Sequence, residues 1–500
     1  MIQVILSKND FEYDIRSLVK AFLPEEEIKF EVKSFDEQDV MNDESVKKAA
    51  IEQSFLYIQY KEEKVSYIWI EDGRDIRTES RDGEYSNRKV YKNILKRLLY
   101  HLFSGVTDKQ LPWGTLTGIR PTKLPMEKLE NGESDEEILK YLESEYLCSK
   151  EKAELSLFIA KKEFKILNEI DDMNGYSIYI GIPFCPSTCL YCSFTSFSIE
   201  KYDDYVDKYL EALFKEIDYA KNAFPNKKLT TIYVGGGTPT TLNEERLEKL
   251  LKKITSSFNF TFVKEFTVEA GRPDSITMDK LKILKENQVT RISINPQSMR
   301  QKTLDLIGRK HTVEQIEKAF TMAREAGHDN INMDIILGLP GETVEDVAYT
   351  LDKINEMNPD SITVHTLAIK RAAFLNIYKD KYKDYIPSDT VAMIDLTYQY
   401  AKEEAYEPYY LYRQKNMADN LENIGYARKE KEGIYNILIM EERHPIIALG
   451  AGASSKFVFP NENRIERVEN VKSIKDYVER IDEMIRRKHN FLSEYQEYFN

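Results

Sequence analysis

Between residues 176 and 367 the chain alternates short apolar runs with longer amphipathic ones, and that rhythm narrows the fold more than any other feature of its 500 residues. Strands are expected at 177–183, 231–234, 265–270, 291–295, 332–337 and 361–367. Helices are expected at 202–223, 244–256, 279–286, 302–306, 313–326 and 344–357. Strands separated by helices make a parallel sheet, because a crossover must return the chain to the starting end. Right-handed crossovers curl such a sheet into a full or partial barrel. The expected class is therefore α/β, with a partial (β/α)6 barrel. Functional groups then belong at C-terminal strand ends and on the loops after them.

The flanks follow other rhythms. Residues 1–168 read as a separate N-terminal mixed α+β domain, 169–374 as the barrel core and 375–500 as a C-terminal extension. In the first, 54–60 and 65–70 alternate around Lys61-Glu62-Glu63-Lys64 as a hairpin, and 88–102, 136–146 and 151–167 have helical periodicity. In the last, helices are expected at 389–404 and 471–487, a strand at 434–440 and a small-residue loop at 448–455.

Directly after the first barrel strand stands Ile182-Pro183-Phe184-Cys185-Pro186-Ser187-Thr188-Cys189-Leu190-Tyr191-Cys192-Ser193-Phe194, a C-x3-C-x2-C run holding three of the chain's four cysteines. Thiolates are the soft ligands that iron–sulfur clusters require. Three of them can hold three irons of a [4Fe–4S] cube and leave the fourth open to a non-protein ligand such as S-adenosylmethionine (SAM). A structural zinc site wants four protein ligands, usually as two C-x2-C pairs, and no second pair exists. A disulfide framework belongs to short secreted chains with paired cysteines. Cys148 has no partner motif and reads as a core or surface thiol.

Composition supports this setting. A net charge of −14 argues against nucleic-acid binding, which needs a basic footprint. No apolar run reaches spanning length, so no membrane span is expected. Residues 1–6 are short and strand-like, not a secretory leader. Thiol-ligated clusters favour a reducing cytoplasm, which is the expected location.

Other polar and glycine positions recur at the strand ends. Gly235-Gly236-Gly237-Thr238-Pro239-Thr240 follows the second strand. It lacks the Gly-Lys-Ser/Thr of a P-loop and the third glycine of the dinucleotide fingerprint. It reads as a tight turn or, beside a cluster, as a backbone cradle for the methionine end of SAM. Glu269 ends the third strand, Gln297 follows the fourth, Arg309 lies in Gly308-Arg309-Lys310-His311, and Asp334 lies in the fifth. Such groups are ordinary loop polars when single; recurring strand after strand, they match the acceptors, anion and cation that a ribose, an ammonium and a carboxylate need.

Taken in order, Tyr-x-Gly-Ile-Pro-Phe-Cys-x3-Cys-x-Tyr-Cys-x-Phe from Tyr179, Gly-Gly-Gly-Thr-Pro-Thr from Gly235, Asn-Pro-Gln-Ser from Asn295 and Ile-Leu-Gly-Leu-Pro-Gly-Glu-Thr from Ile336 resemble radical SAM enzymes of the oxygen-independent coproporphyrinogen III dehydrogenase group. The resemblance covers 176–367 and more loosely 409–455. Leu116-Thr117-Gly118-Ile119-Arg120-Pro121-Thr122-Lys123 and Tyr412-Arg413-Gln414-Lys415-Asn416-Met417 are similar to its HemZ-type branch. The resemblance implies cluster ligation by Cys185, Cys189 and Cys192, with Tyr179 beside the cluster and SAM. It implies Gly235, Gly236, Gly237 and Thr238 at the methionine part, and Glu269, Gln297, Arg309 and Asp334 on SAM's polar groups. It further implies a tetrapyrrole substrate met by the C-terminal region, a low-potential donor such as flavodoxin or ferredoxin, and oxidative decarboxylation of coproporphyrinogen III propionates to vinyl groups. Two positions depart from the group's best-characterised branch. Ser193 stands where that branch has a fourth cysteine, and Gly181 where it commonly has histidine; both bear on substrate handling rather than on cluster assembly.

Two rival readings stay open. One is a haem-binding chaperone of the same superfamily, whose relatives share the cluster motif without the fourth cysteine. Their His-Asn-x-x-Tyr-Trp element is replaced here by Asn420-Leu421-Glu422-Asn423-Ile424-Gly425-Tyr426, without histidine or tryptophan. The other is a radical SAM enzyme acting on a different tetrapyrrole. Arg120, Lys123, Arg371 and Arg413 are candidate propionate partners or plain loop cations. His311, His365 and His444 are candidate acids or ligands, or structural groups.

Overall fold

The computed structural model describes all residues except 74, 171–173, 195, 368–388, 415–420, 460, 461, 463 and 500. Arg371, Lys415, Asn416, Met417 and Asn420 therefore lie outside the described residues, as does the expected boundary at 374. Two compact units form: Met1–Phe158 with Arg413–Leu421, and Ile159–Tyr412 with Glu422–Asn500.

The first unit is built on a five-stranded sheet in the order β2-β1-β3-β4-β5. Its strands are β1 (Ile2–Leu6), β2 (Ile28–Val32), β3 (Ser54–Tyr60), β4 (Lys64–Glu71) and β5 (Asp75–Asp82). The expected hairpin is β3–β4, antiparallel with Phe55 opposite Ile70. Period-two alternation sorts its residues onto two faces. Val4, Leu6, Leu56, Ile58, Val65, Tyr67 and Trp69 share one core with the helices Glu12–Phe22 and Arg88–Thr107. Ile5, Phe55, Tyr57, Ile68 and Ile70 make a second core on the opposite face.

The second unit carries an eleven-stranded sheet. Its parallel heart is β6 (Gly175–Ile182), β9 (Lys228–Gly236), β10 (Glu265–Glu269), β11 (Arg291–Ser293), β12 (Ile331–Leu337) and β13 (Ser361–Thr366), each beside the next in chain order. These are the six expected strands. β7 (Phe184–Cys185) and β8 (Phe197–Ser198) form a separate small pair that brackets the cysteine run. Four crossover helices begin where Asn243, Thr277, Thr312 and Thr343 accept a hydrogen bond from the amide three residues on, as N-caps do.

The C-terminal residues extend this sheet at both edges. β14 (Glu407–Tyr412) and β15 (Asn423–Ala427) continue it antiparallel beyond β13. β16 (Ile446–Leu449) lies parallel to β6 on the other side, followed by antiparallel β17 (Ser454–Phe459) and β18 (Arg464–Glu469). The order runs from β14 to β18 without closing, so the barrel is partial.

Three local expectations are corrected. Residues 434–440, expected as a strand, form the helix Ile434–Glu441. A short apolar run does not reveal its period, and here the Glu265 carboxylate accepts from the amides of Ile434 and Tyr435, capping a helix start. The expected helix 471–487 is two, Ile474–Glu479 and Ile481–Glu494, broken at Arg480. The strand expected at 291–295 stops at Ser293. Pro296 cannot donate to a ladder, and Gln297 turns left-handed at φ 66°. The small-residue stretch 448–455 is the end of β16, a tight turn and the start of β17.

Candidate active site

All six parallel strands end on one edge of the sheet, and the sequence-predicted residues gather there. Cys185 lies just beyond β6, Gly235 and Gly236 close β9, Glu269 closes β10, and Gln297 follows β11. Asp334 sits within β12, not at its end, opposite Thr363. It stays level with Gln297 because the Gln297 amide donates to the Asp334 carbonyl at 2.9 Å.

The cysteine loop is tied down by backbone. The amides of Gly237 and Thr238 donate to the carbonyls of Ile182 and Phe184 at 2.8 and 2.7 Å. Leu190 N–H donates to the Ile307 carbonyl at 3.0 Å, and Cys192 N–H to Cys189 at 3.2 Å. Arg272 donates to Ser187 Oγ at 3.1 Å and reaches Cys189 Sγ at 3.7 Å. Its guanidinium is held by Asp274 at 2.8 Å. His311, fully buried, stands 3.7 Å from the same carboxylate. Burial pushes the His311 pKa down, so it stands mostly neutral behind the Arg272–Asp274 pair. Arg309 donates to Tyr191 OH, to the Asn295 carbonyl at 2.6 Å and to the Gly271 carbonyl at 3.4 Å.

Three free thiols thus share one loop. Burial raises the Cys185 thiol to about 11, the other two cysteines add to that, and Thr238 Oγ1 lies 3.5 Å from its sulfur. Among the described residues no three His, Cys, Asp or Glu side chains converge on a common metal centre. In donor chemistry the loop fits a cluster held by three thiolates: it offers three soft ligands, with the Arg272 guanidinium beside Cys189.

The glycine run first serves the protein itself. A side chain on Gly235 would stand 2.6 Å from Glu269 Cδ, and one on Gly237 2.6 Å from the Phe184 carbonyl. Gly236 has φ 101°, and a side chain there would meet Tyr179 OH at 2.9 Å. The run therefore lets the Glu269 carboxylate, the Tyr179 hydroxyl and the cysteine loop close on one spot. Gly236 N–H donates to Glu269 Oε2 at 3.2 Å, and Tyr233 OH to Oε1 at 2.5 Å. Burial lifts Glu269 to about 7 and Asp334 adds repulsion, against those two hydrogen bonds. For Asp334 burial acts upward as well, but His365, Asn332 and Thr363 outweigh it and hold the carboxylate below its usual range. Asn332 Nδ2 donates to it at 2.6 Å, and His365 Nε2 stands 3.8 Å away. The edge also holds buried polar atoms with no hydrogen-bond partner among the described residues: Ser293 Oγ, Asn295 Oδ1 and Gln297 Oε1.

Sequence reasoning missed several residues here. Tyr233 faces Tyr179 across β6 and β9, with rings 6.1 Å apart, and Tyr435 stacks on Tyr233 at 4.5 Å. Parallel register could have paired the first two; Tyr435 was hidden by the misread helix. Arg272 and Asp274 lie three and five residues beyond Glu269, within the loop that the strand-end rule singles out. His444 is not at this edge. It meets Ser177 Oγ at 2.7 Å, near the start of β6. Arg413, Arg120 and Lys123 belong to the first unit.

Comparison with known proteins agrees with this geometry. Residues 179–354 match the Radical SAM superfamily. The chain is 41% identical over 409 residues to the oxygen-independent coproporphyrinogen-III oxidase-like protein HemZ of Bacillus subtilis, covering 81% of this chain and 80% of that protein. It is 38% identical over 205 residues to the heme chaperone HemW of the same organism, covering 40% of this chain and 53% of the relative. The coproporphyrinogen III oxidase HemN of Escherichia coli, whose structure is described as that of a radical SAM enzyme, superposes with a TM-score of 0.50 at 25% identity, over 64% of this chain and 72% of that one. With its cysteine loop on the C-terminal edge of an open parallel barrel and its likeness to HemZ along four fifths of its length, this chain belongs to the radical SAM superfamily, among the HemZ-like relatives of the oxygen-independent coproporphyrinogen III oxidases.

Proposed function

We propose that this chain is a radical SAM enzyme that oxidatively decarboxylates two propionate side chains of coproporphyrinogen III to vinyl groups, giving protoporphyrinogen IX. The observation that carries the reading is the 409-residue likeness to a coproporphyrinogen-III oxidase-like protein, with the three cysteines and the strand-end polar set in place. Cys185, Cys189 and Cys192 would hold a [4Fe–4S] cluster. Gly235, Gly236, Gly237, Thr238, Glu269, Gln297, Arg309 and Asp334 would hold SAM, with Tyr179 beside the cluster and SAM. When bound, these groups supply one-electron reduction and hydrogen abstraction from an unactivated C–H bond.

The chain's own residues set the conditions for that chemistry. Cys185 must lose a proton that burial holds to about 11, so loading with iron releases protons and is favoured by alkaline pH. Glu269 is poised near neutrality to change from a neutral acid to the anion that an ammonium needs. The unpartnered Gln297 and Asn295 oxygens offer acceptors to N–H or O–H donors of a ligand. Arg272 and Arg309 anchor the cysteine loop from beneath.

The second reading, a haem chaperone, has a specific observation in its favour: Ser193 follows the third cysteine, and HemW is among the relatives. One anaerobic experiment separates the two. Reconstituted protein, SAM, a low-potential reductant and coproporphyrinogen III deuterated at the propionate β-carbons are incubated together. The enzyme reading requires a divinyl product and deuterium in 5′-deoxyadenosine. Stoichiometric haem binding and transfer to an apo-acceptor, without deuterium transfer, would establish the chaperone instead.

A further inference from the structure

The first unit holds a buried cation with almost nothing to neutralise it. Lys96 lies on the inner face of the helix Arg88–Thr107 and is 7% exposed. Of its three ammonium donors, one meets Thr117 Oγ1 at 3.1 Å, its only hydrogen bond among the described residues. Among the described residues no ion pair forms at Lys96. Burial pushes its pKa down to about 8; Asp14 opposes this, while Lys92 and Arg413 add repulsion. Asp14 is itself paired with Lys92 at 3.5 Å. A buried ammonium without a counter-ion costs several kcal/mol, and packing alone would be better served by Met or Leu.

A second buried cation grips the same loop. Arg413, 3% exposed, donates from Nη1 to the Leu116 carbonyl at 2.5 Å and from its backbone amide to the Ile119 carbonyl at 2.8 Å. Its guanidinium lies 5.8 Å from the centre of the Trp113 ring. Lys96 and Arg413 therefore hold Leu116-Thr117-Gly118-Ile119 from its flanks. The loop itself is open at the middle: a side chain on Gly118 would meet nothing within 4 Å, and Ile119 is 54% exposed. Two cations, an aromatic ring and an exposed aliphatic side chain around an open glycine suit a carboxylate carried on an apolar body. In a chain of net charge −14, a pair of buried cations calls for a local reason.

We propose that Lys96 and Arg413, with the 116–119 loop, form an anion site in the first unit that takes a propionate carboxylate of a tetrapyrrole. This rests on the tetrapyrrole reading above. Lys96 supplies the charge and Arg413 shapes the loop.

The chain has only two tryptophans, so Trp69→Phe leaves Trp113 as a single reporter beside the site. The full chain carrying that change is titrated, following Trp113 fluorescence, with coproporphyrin III, its tetramethyl ester and haem. The free acid should quench Trp113, and Lys96→Met should weaken that binding at least about tenfold. The ester should bind the two proteins equally, and Lys96→Arg should restore the affinity for the acid. Lys96→Met should also raise the melting temperature, because it removes an unpaired buried charge; a merely structural lysine would do the opposite. Haem quenching with the same Lys96 dependence would assign the site to a carried haem rather than to the porphyrinogen. Equal affinity of Lys96→Met and its parent for the acid, or a destabilised Lys96→Met, overturns the site while leaving the tetrapyrrole reading intact. If neither tetrapyrrole binds the parent, that reading falls and the site with it.

Discussion

Two buried polar clusters of the second unit, one beside the end of β6 and one at the end of β11, are built on opposite principles. On the β16 side, Glu216 is fully buried and every acceptor position is used. Its oxygens take Gly450 N–H at 2.8 Å, Tyr477 OH at 2.5 Å, Asn470 Nδ2 at 2.8 Å and Lys488 Nζ at 2.7 Å. Tyr209 joins the same structure, donating to the Gly181 carbonyl at 2.6 Å and accepting from Ala451 N–H at 3.1 Å. Three strands away, at and just after the end of β11, Ser293 Oγ, Asn295 Oδ1 and Gln297 Oε1 are buried with no hydrogen-bond partner among the described residues. Buried polar groups are normally satisfied, and an orphan costs about 1–3 kcal/mol. The saturated cluster fixes the 450–452 turn against Gly181 and so braces the strand that leads into the cysteine loop. The orphaned one is placed where the proposed ligand would complete it.

The largest effect should come from the cysteine loop. Cys189→Ala should abolish iron loading and SAM cleavage altogether, read by iron content, electron paramagnetic resonance and 5′-deoxyadenosine release. Cys148→Ala is the control. Its thiol is buried in the first unit, donates to the Trp113 carbonyl at 3.5 Å and is raised to about 12 by burial, so its loss should leave the iron content unchanged. A cluster that survives Cys189→Ala but not Cys148→Ala would reverse the ligand assignment.

The saturated side should answer next, in stability. Lys488→Met strands the Glu216 carboxylate in a fully buried site and should cost about 3–5 kcal/mol in denaturant unfolding. Adding Glu216→Gln should recover part of that loss, because the double change removes both charges. A double variant as unstable as the sum of the singles would show that the two residues act independently.

On the orphaned side the same kind of change should hardly register in stability. Gln297→Ala removes a buried acceptor that bonds to none of the described residues, so unfolding should shift by less than about 1 kcal/mol. SAM affinity, measured by equilibrium dialysis, should fall about tenfold. If Gln297→Ala destabilises the fold as much as Lys488→Met does, the contrast between the clusters is wrong.

What the sequence disclosed and what it hid divide along the same physical line. The six strands, the helices between them and the cysteine loop are local signals, carried by neighbours a few residues apart. The helix Ile434–Glu441 was misread because its cap, Glu265, is supplied from a distant strand. The Glu216–Lys488 and His311–Asp274 pairs were invisible for the same reason: each joins elements far apart in the chain. Nothing local in the sequence marks Lys96 as buried. The edge strands β14 to β18 carry no crossover rhythm, so nothing local says that they join the barrel sheet.

The smallest effect, and the one that tests the join between the two clusters, is the titration of Glu269. Its pKa is raised from the ordinary carboxyl range to about 7, so the folded protein holds a proton that the unfolded chain releases near 4.5. That stabilisation is complete below the unfolded value and is lost as pH rises through about 7. Glu342, buried and also raised to about 7 by burial, contributes in the same direction. The cluster-free protein should therefore lose stability on going from pH 5 to pH 8, and Glu269→Gln should flatten the slope only in part, because Glu342 remains. Binding should run the other way. If the ionised carboxylate receives the ammonium of SAM, affinity rises with the ionised fraction, which goes from about half at pH 7 to about nine tenths at pH 8. The expected gain is about twofold, and Glu269→Gln should abolish it. Calorimetric titration at the two pH values reads the difference directly. A SAM affinity that is flat with pH in the parent, while the stability slope still falls in Glu269→Gln, would keep Glu269 as a buried acid bonded to Tyr233 and Gly236 and remove it from the proposed ligand set.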